Sequence, residues 1–282
     1  MGQDTRVATV SSLGRLLREW RTARGVSQFE LALRADISAR HLSFVETGRA
    51  QPGRDVVLRL ASALDLPLRE RNAALRAAGY AQIYRQESLS APGMAPVVRA
   101  LDFMLRQQEP YPAMVIDRLC GVTRMNRAAE RFVTLFLGHV PEPPVNLARL
   151  LFDPEGLRPH IVNWEEMAQH VLLRIRRDLS HESPGSPPMQ LFEELMAIPG
   201  LPEACRVFQL DSVAPPIVPT EFRKDGRTYR LFTTLTSFGT PQDVTLQELR
   251  IESSFPADEE TDLLLRELAG DSPSVWEVER GA

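Results

Sequence analysis

Leu13, Leu16, Leu17 and Trp20 recur at intervals of one to three residues, which predicts an amphipathic helix from Ser11 or Ser12 to Arg24, ending at Gly25 in a left-handed cap. Ser27 opens a second helix. Its hydroxyl can accept from the amide near Glu30 while the Glu30 side chain reaches back, a capping box, and Leu31, Ala32 and Ala35 face inward. Ala35-Asp36-Ile37-Ser38 then places one polar residue where the backbone must reverse, an inward apolar residue, and a second N-cap. A third helix runs to Thr47 and stops at Gly48, with Leu42 and Val45 inward and Ala39, Arg40, Ser43 and Phe44 outward. An outward first turn of small or polar residues is what a major groove admits. Helices from about Asp55 to Leu64 and Leu68 to Ala78 complete an all-α, five-helix module over residues 1–80.

Residues 81–96, AQIYRQESLSAPGMAP, read as a linker, with Pro92, Gly93 and Pro96 among polar residues. A helix from Val97 to about Gln108 opens the second domain, residues 97–282. Beyond Pro112 the pattern shortens: Ala113 to Asp117 and Val122 to Met125 read as a hairpin, and Asn126 caps a helix through Leu137. Amphipathic stretches follow from Asn163 through Ile175 and from Leu191 to about Ile198, separated by the SPGSPP segment at 183–188, and the HESPGSPP loop at 181–188 is expected to be mobile and exposed. Ile217–Phe222, Thr228–Phe238 and Leu246–Phe255 alternate or run apolar, which predicts an antiparallel meander. After Pro256 the acidic DEETD opens a final helix, its carboxylates suited to the positive helix end. The fold class is therefore multidomain, an all-α module followed by an α+β domain with an antiparallel sheet.

Charge separates the two halves. The whole chain carries -4, yet residues 1–80 hold 13 Arg against 8 acidic residues, so the remainder holds 20 basic against 29 acidic. A basic first segment on an acidic remainder suits a nucleic-acid reader carrying a second module. No apolar run reaches the length of a membrane span and no signal pattern opens the chain, so a cytoplasmic location without membrane association is expected. Cys120 and Cys205 lack metal or redox spacing and are expected to be buried, inert thiols.

The first segment resembles the repressor-type helix-turn-helix of the xenobiotic response element (XRE) family from Leu13 to about Tyr80. Arg21, Ser27-Gln28, Leu31-Ala32, the turn into Ser38, Leu42 and Val45-Glu46-x-Gly48-Arg49-x-x-Pro52 carry the match. The resemblance implies a phosphate contact at Gln28 and a base-facing set of Ala39, Arg40, Ser43 and Phe44 behind the Ser38 cap. It also implies an Arg21–Glu46 ion pair, with Arg49 and Arg54 at the DNA backbone or minor groove. Asp36 stands where the turn is usually Gly, which Asp tolerates because it visits the left-handed region more readily than most residues. Phe44 stands where relatives are often polar, either to meet a thymine methyl or to pack.

The second domain resembles the PAS-like ligand-binding domain of MmyB-like regulators. The match is carried by Glu109-Pro110-Tyr111-Pro112-Ala113, Asn163-Trp164-Glu165, residues 234–245 and residues 249–258. The resemblance implies an apolar pocket, with a fatty acid as one type of occupant and no other cofactor. Trp164, Met167, Val171, Phe192, Leu195, Met196, Phe208, Phe232 and Phe238 are the candidate lining residues, since large flexible side chains suit an alkyl chain. Arg124, His170, Arg174 and Tyr229 are candidates for holding a head group.

Catalytic motifs are missing: no HExxH, no G-x-S-x-G, no phosphate-binding glycine loop, and five His residues off ligand spacing. The expected protein is thus a non-enzymatic transcription regulator that binds double-stranded DNA as a homodimer and senses a small apolar or amphipathic ligand. Its rivals are a protein-interaction module and an enzyme acting on a lipid-like ligand.

Overall fold

The computed structural model describes residues 12–179, 182, 185–206 and 217–270, which fall into two compact units. The first comprises the described residues through Gln86 together with those in 178–185 and 240–247. Its helices are α1 (Ser12–Ala23), α2 (Gln28–Arg34), α3 (Ala39–Glu46), α4 (Arg54–Ala63) and α5 (Leu68–Ala77). Ser27 Oγ accepts from the Glu30 amide and Ser38 Oγ from the His41 amide, each at 3.1 Å, so both short helices begin where the sequence places them. The capping box is only half made: the Glu30 carboxylate pairs with Arg34 one turn on, a charge-assisted bond stronger than one to a backbone amide. Asp36 takes φ 52° in the turn, the left-handed conformation expected of it. Leu17, Leu31, Leu42, Val57, Leu60 and Leu75 are fully buried in the core that these helices share.

Gly14 permits a close crossing of α1 on the end of α3. A Cβ there would stand 2.5 Å from the Glu46 carbonyl oxygen and 2.8 Å from that of Val45. Backbone cannot rotate away as a side chain can, so Gly14→Ala should destabilise this unit by about 1–3 kcal/mol, read as a lower unfolding midpoint in denaturant. The start of α5 has Pro67 at its N-cap and no side-chain cap of its own, but the Gln247 Oε1 accepts from the Leu68 amide at 2.7 Å. Gln247 thereby satisfies one of the amides a helix start leaves over.

In the second unit β1 (Ala113–Ile116), β2 (Gly121–Met125), β3 (Val145–Asn146), β4 (Thr220–Lys224), β5 (Arg227–Thr236) and β6 (Arg250–Pro256) form an antiparallel sheet of order β3-β2-β1-β6-β5-β4. Its helices are α6 (Ala95–Gln107), α7 (Arg127–Leu137), α8 (Leu147–Phe152), α9 (Trp164–Asp178), α10 (Pro187–Met196) and α12 (Glu259–Ala269); α11 (Val244–Glu248), which follows β5 and precedes β6 in the chain, belongs to the first unit except for Glu248. The expected hairpin and three-strand meander are present, with shifted ends. The last strand begins at Arg250 rather than Leu246, because the Asp243 carboxylate accepts from the amides of Thr245 and Leu246 and turns the chain into α11. β3 and α8 have no counterpart in the sequence reading; Asn146 starts α8 by accepting from the Arg149 amide at 3.0 Å. α10 begins at Pro187, four residues before the expected Leu191, since proline suits the first helical turn. Of the loop expected there, His181, Ser183 and Pro184 lie outside the described residues, and Pro188, expected to be exposed, is buried in the first turn of α10.

Phe132, Phe136, Phe222 and Tyr229 interlock with ring centroids 4.9–5.9 Å apart and anchor the core between the sheet and α7. Cys120 and Cys205 are both buried, and burial pushes the Cys205 thiol up, away from the reactive thiolate. Among the described residues no helix is long and apolar enough to cross a membrane.

Candidate nucleic-acid interface and ligand cavity

Capped by Ser38 and held inward by the buried Leu42 and Val45, α3 turns Ala39, Arg40, Ser43 and Phe44 to its accessible side. The Arg40 guanidinium lies over the Phe44 ring, 5.3 Å from its centroid. Arg40, Arg49 and Arg54 are all exposed, and among the described residues none of them pairs with a carboxylate. Neighbouring arginines differ: Arg21, Arg34 and Arg59 pair with Glu46, Glu30 and Asp36. Arg40, Arg49 and Arg54, the open cations on and beside α3, are those the sequence reading sets against DNA.

Glu46, fully buried at the end of α3, fixes this helix. Arg21 donates to both of its oxygens, at 2.8 and 3.1 Å, and to the Val26 carbonyl at 3.0 Å, joining α1, α3 and the entry to α2. Gln28 Nε2 donates to Glu46 Oε2 at 2.8 Å, so the half-buried side chain expected to reach a phosphate also braces the end of α3. Burial pushes the Glu46 carboxyl up, but hydrogen bonds from Arg21 and Gln28 and the charges of Arg21 and Arg18 outweigh it and hold the group below the ordinary carboxylate value.

A cavity of about 210 Å³ lies in the second unit between α9 and the sheet, lined by Leu151, Met167, His170, Val171, Arg174, Val218, Thr220, Thr233, Leu235 and Glu252. Asn163 ties the start of α9 to β4, donating to the Pro219 carbonyl at 2.8 Å and accepting from the Glu221 amide at 2.9 Å. About three turns later, Arg174 Nη1 meets Glu252 Oε2 on β6 at 3.4 Å. The cavity therefore has an apolar end near Met167 and a polar end at Arg174 and Glu252. Burial pushes the Glu252 carboxyl up, against the opposing effect of Arg174. Burial first, then the charges of Arg174 and Arg177, push His170 down and keep its imidazole neutral near pH 7.

Of the nine expected lining residues, Met167 and Val171 line this cavity. Leu195 is fully buried in the core, with Phe192 and Met196 packed against it. Trp164 packs edge-on to Phe152 and under the Arg158 guanidinium. Phe232 sits one residue before Thr233, hence on the opposite face of β5, where it stacks on Phe255 at 5.3 Å. Phe238 packs with the separate cluster around Leu101, Leu105 and Leu249. Phe208 lies outside the described residues. Among the head-group candidates His170 and Arg174 reach the cavity, whereas Arg124 pairs with Asp102 at 2.6 Å and Tyr229 belongs to the aromatic core. Glu252, Thr220 and Thr233 escaped the sequence reading; the one available signal was a carboxylate alternating with apolar residues in a strand. Among the described residues, no cluster of three or more His, Cys, Asp or Glu is placed to hold a metal ion.

Residues 97–268 match the family described as "MmyB-like transcription regulator ligand binding domain", and residues 12–74 match a helix-turn-helix domain family. Among solved structures, the chain is similar to the restriction-modification controller protein C.AhdI from Aeromonas hydrophila, at 38% identity over 22% of this chain and 92% of that one, with a TM-score of 0.21. It is also similar to an RNA-binding light-oxygen-voltage receptor, at 15% identity over 93% of this chain and 64% of that one, with a TM-score of 0.27. No curated protein matches the chain. With that ligand-binding family spanning more than half of its length and a helix-turn-helix ahead of it, the protein belongs to the MmyB-like transcription regulators.

Proposed function

We propose that this regulator binds specific double-stranded DNA as a homodimer, with α3 in the major groove, and that a small amphipathic ligand in the α9 cavity controls the binding. The observation that carries the DNA half is the contrast among arginines: Arg40, Arg49 and Arg54 keep open guanidinium groups on and beside α3 while their neighbours are neutralised within the fold. Arg40 belongs to the base-reading set with Ala39, Ser43 and Phe44, and Arg49 and Arg54 to the phosphate-contacting set. A two-fold dimer would place two copies of α3 about 34–36 Å apart, in successive major grooves. For the ligand, the cavity lies below the roughly 300–1,000 Å³ of drug-sized sites, which favours a short molecule. Its apolar end suits an alkyl or aryl group and Arg174 suits an acid head, a description that a short fatty acid meets.

Selection of duplexes from a random pool by the full-length protein should enrich a two-fold symmetric site. Native mass spectrometry of freshly purified protein should show a dimer carrying a small molecule, and Val171→Phe, which fills the cavity, should lose that mass while keeping the fold. Recovery of random sequences would contradict the DNA half, and an unchanged bound mass in Val171→Phe would contradict this cavity as the site.

A further inference from the structure

Arg40 and Phe44 are one helical turn apart on the accessible side of α3, and the Arg40 guanidinium carbon lies over the face of the Phe44 ring, 5.3 Å from its centroid. Side chains on a helix lean toward its N-terminus, so the ring reaches back under Arg40, toward the end of α3 that a helix-turn-helix presents to base edges. Arg40 has no carboxylate partner among the described residues, so the ring is the one contact recorded for its guanidinium. A guanidinium held against a ring has one flat face covered and the other open, with its N–H groups free at the edge.

Two features of the major groove match that arrangement. Guanine alone offers two adjacent acceptors, N7 and O6, to an arginine fork. The apolar mark in the groove is the 5-methyl of thymine, and on the 5′ side of a guanine it lies beside that guanine's groove edge, where it can cover the open face of the guanidinium. We propose that α3 reads a 5′-TpG-3′ step through Arg40, sandwiched between the Phe44 ring and the thymine methyl, and that 5-methylcytosine is accepted in place of the thymine. This rests on the reading that α3 enters the major groove. A CpG step at this position then becomes a better contact once its cytosine is methylated, because the methyl group and not the pairing edge is what the sandwich senses.

The test uses full-length protein and the duplex enriched from a random pool, with affinities measured by fluorescence anisotropy. The enriched site should contain TpG in each half. Replacing that thymine with deoxyuracil, which removes only the methyl group, should weaken binding about fourfold, and CpG in its place should gain a similar factor on cytosine methylation. Arg40→Lys keeps the charge and the helix surface but has no planar face, and should abolish both methyl effects; circular dichroism will confirm its fold. An enriched site without TpG, or equal affinity for thymine and deoxyuracil duplexes, overturns the proposal and leaves groove reading intact. Failure to enrich any sequence overturns both.

Discussion

Glu46→Ala lowers the stability of the helix-turn-helix unit by about 3–5 kcal/mol, because it leaves the mostly buried Arg21 guanidinium without its carboxylate. Hydrogen exchange of α1 and α3 amides reads this directly. The loss exceeds that of a surface pair because Glu46 is fully buried and accepts from Arg21 twice and from Gln28 once. Replacing Arg21 and Glu46 together by apolar residues of similar size should recover much of the stability, since the cost lies in the orphaned charge. The pH dependence has a definite sign. The folded Glu46 pKa lies below its unfolded value, so its stabilisation is complete above the unfolded carboxylate range and is lost as pH falls through the depressed folded value. Glu46→Gln removes that acid-side dependence. DNA affinity should fall with stability in Glu46→Ala, since α3 is positioned by this pair.

Asp262→Ala should destabilise the second unit by a comparable amount, roughly 3 kcal/mol or more, because Asp262 is fully buried and holds two donors. The Tyr111 hydroxyl donates to it at 2.5 Å, and Arg266 Nε donates at 3.2 Å while its Nη2 donates to the same tyrosine oxygen at 2.8 Å. This triad fastens α12 to the segment entering β1. Burial, and after it the bond to Asp262, push the Tyr111 pKa up to about 12. A raised tyrosine pKa gives stability that is complete below the unfolded value and is lost as pH rises through the folded one, so the wild-type unit weakens on the alkaline side. Ultraviolet titration of tyrosinate should show Tyr111 and Tyr229 both ionising late, the latter because burial pushes it up, and Asp262→Asn should bring the Tyr111 step to lower pH.

The helix-turn-helix was legible because its signals are local. Ser27, Asp36, Ser38 and Gly48 each impose a backbone conformation or cap within four residues of themselves, and the apolar spacing between them assigns the inward faces. The Arg21–Glu46 pair followed from resemblance, but the inward turn of Gln28 depends on where a buried carboxylate from another helix ends up. The cavity was less legible for a related reason. Phe192, Leu195, Phe232 and Phe238 have the composition of pocket walls, yet packing density sets such side chains against one another wherever the backbone allows. What remains open is lined by smaller or charged residues, Val218, Thr220, Thr233 and Glu252, which meet only when β4, β5 and β6 are paired in register.

The most direct test of α3 as a DNA reader is the slope of log Kd against log salt for the enriched duplex, in the wild type and in a variant with Arg40, Arg49 and Arg54 all replaced by alanine. The account predicts a steep linear loss of affinity with salt in the wild type, and a slope shallower by about 0.9 for each phosphate contact removed in the variant. Coincident lines for the two proteins, or an affinity indifferent to salt, would contradict it.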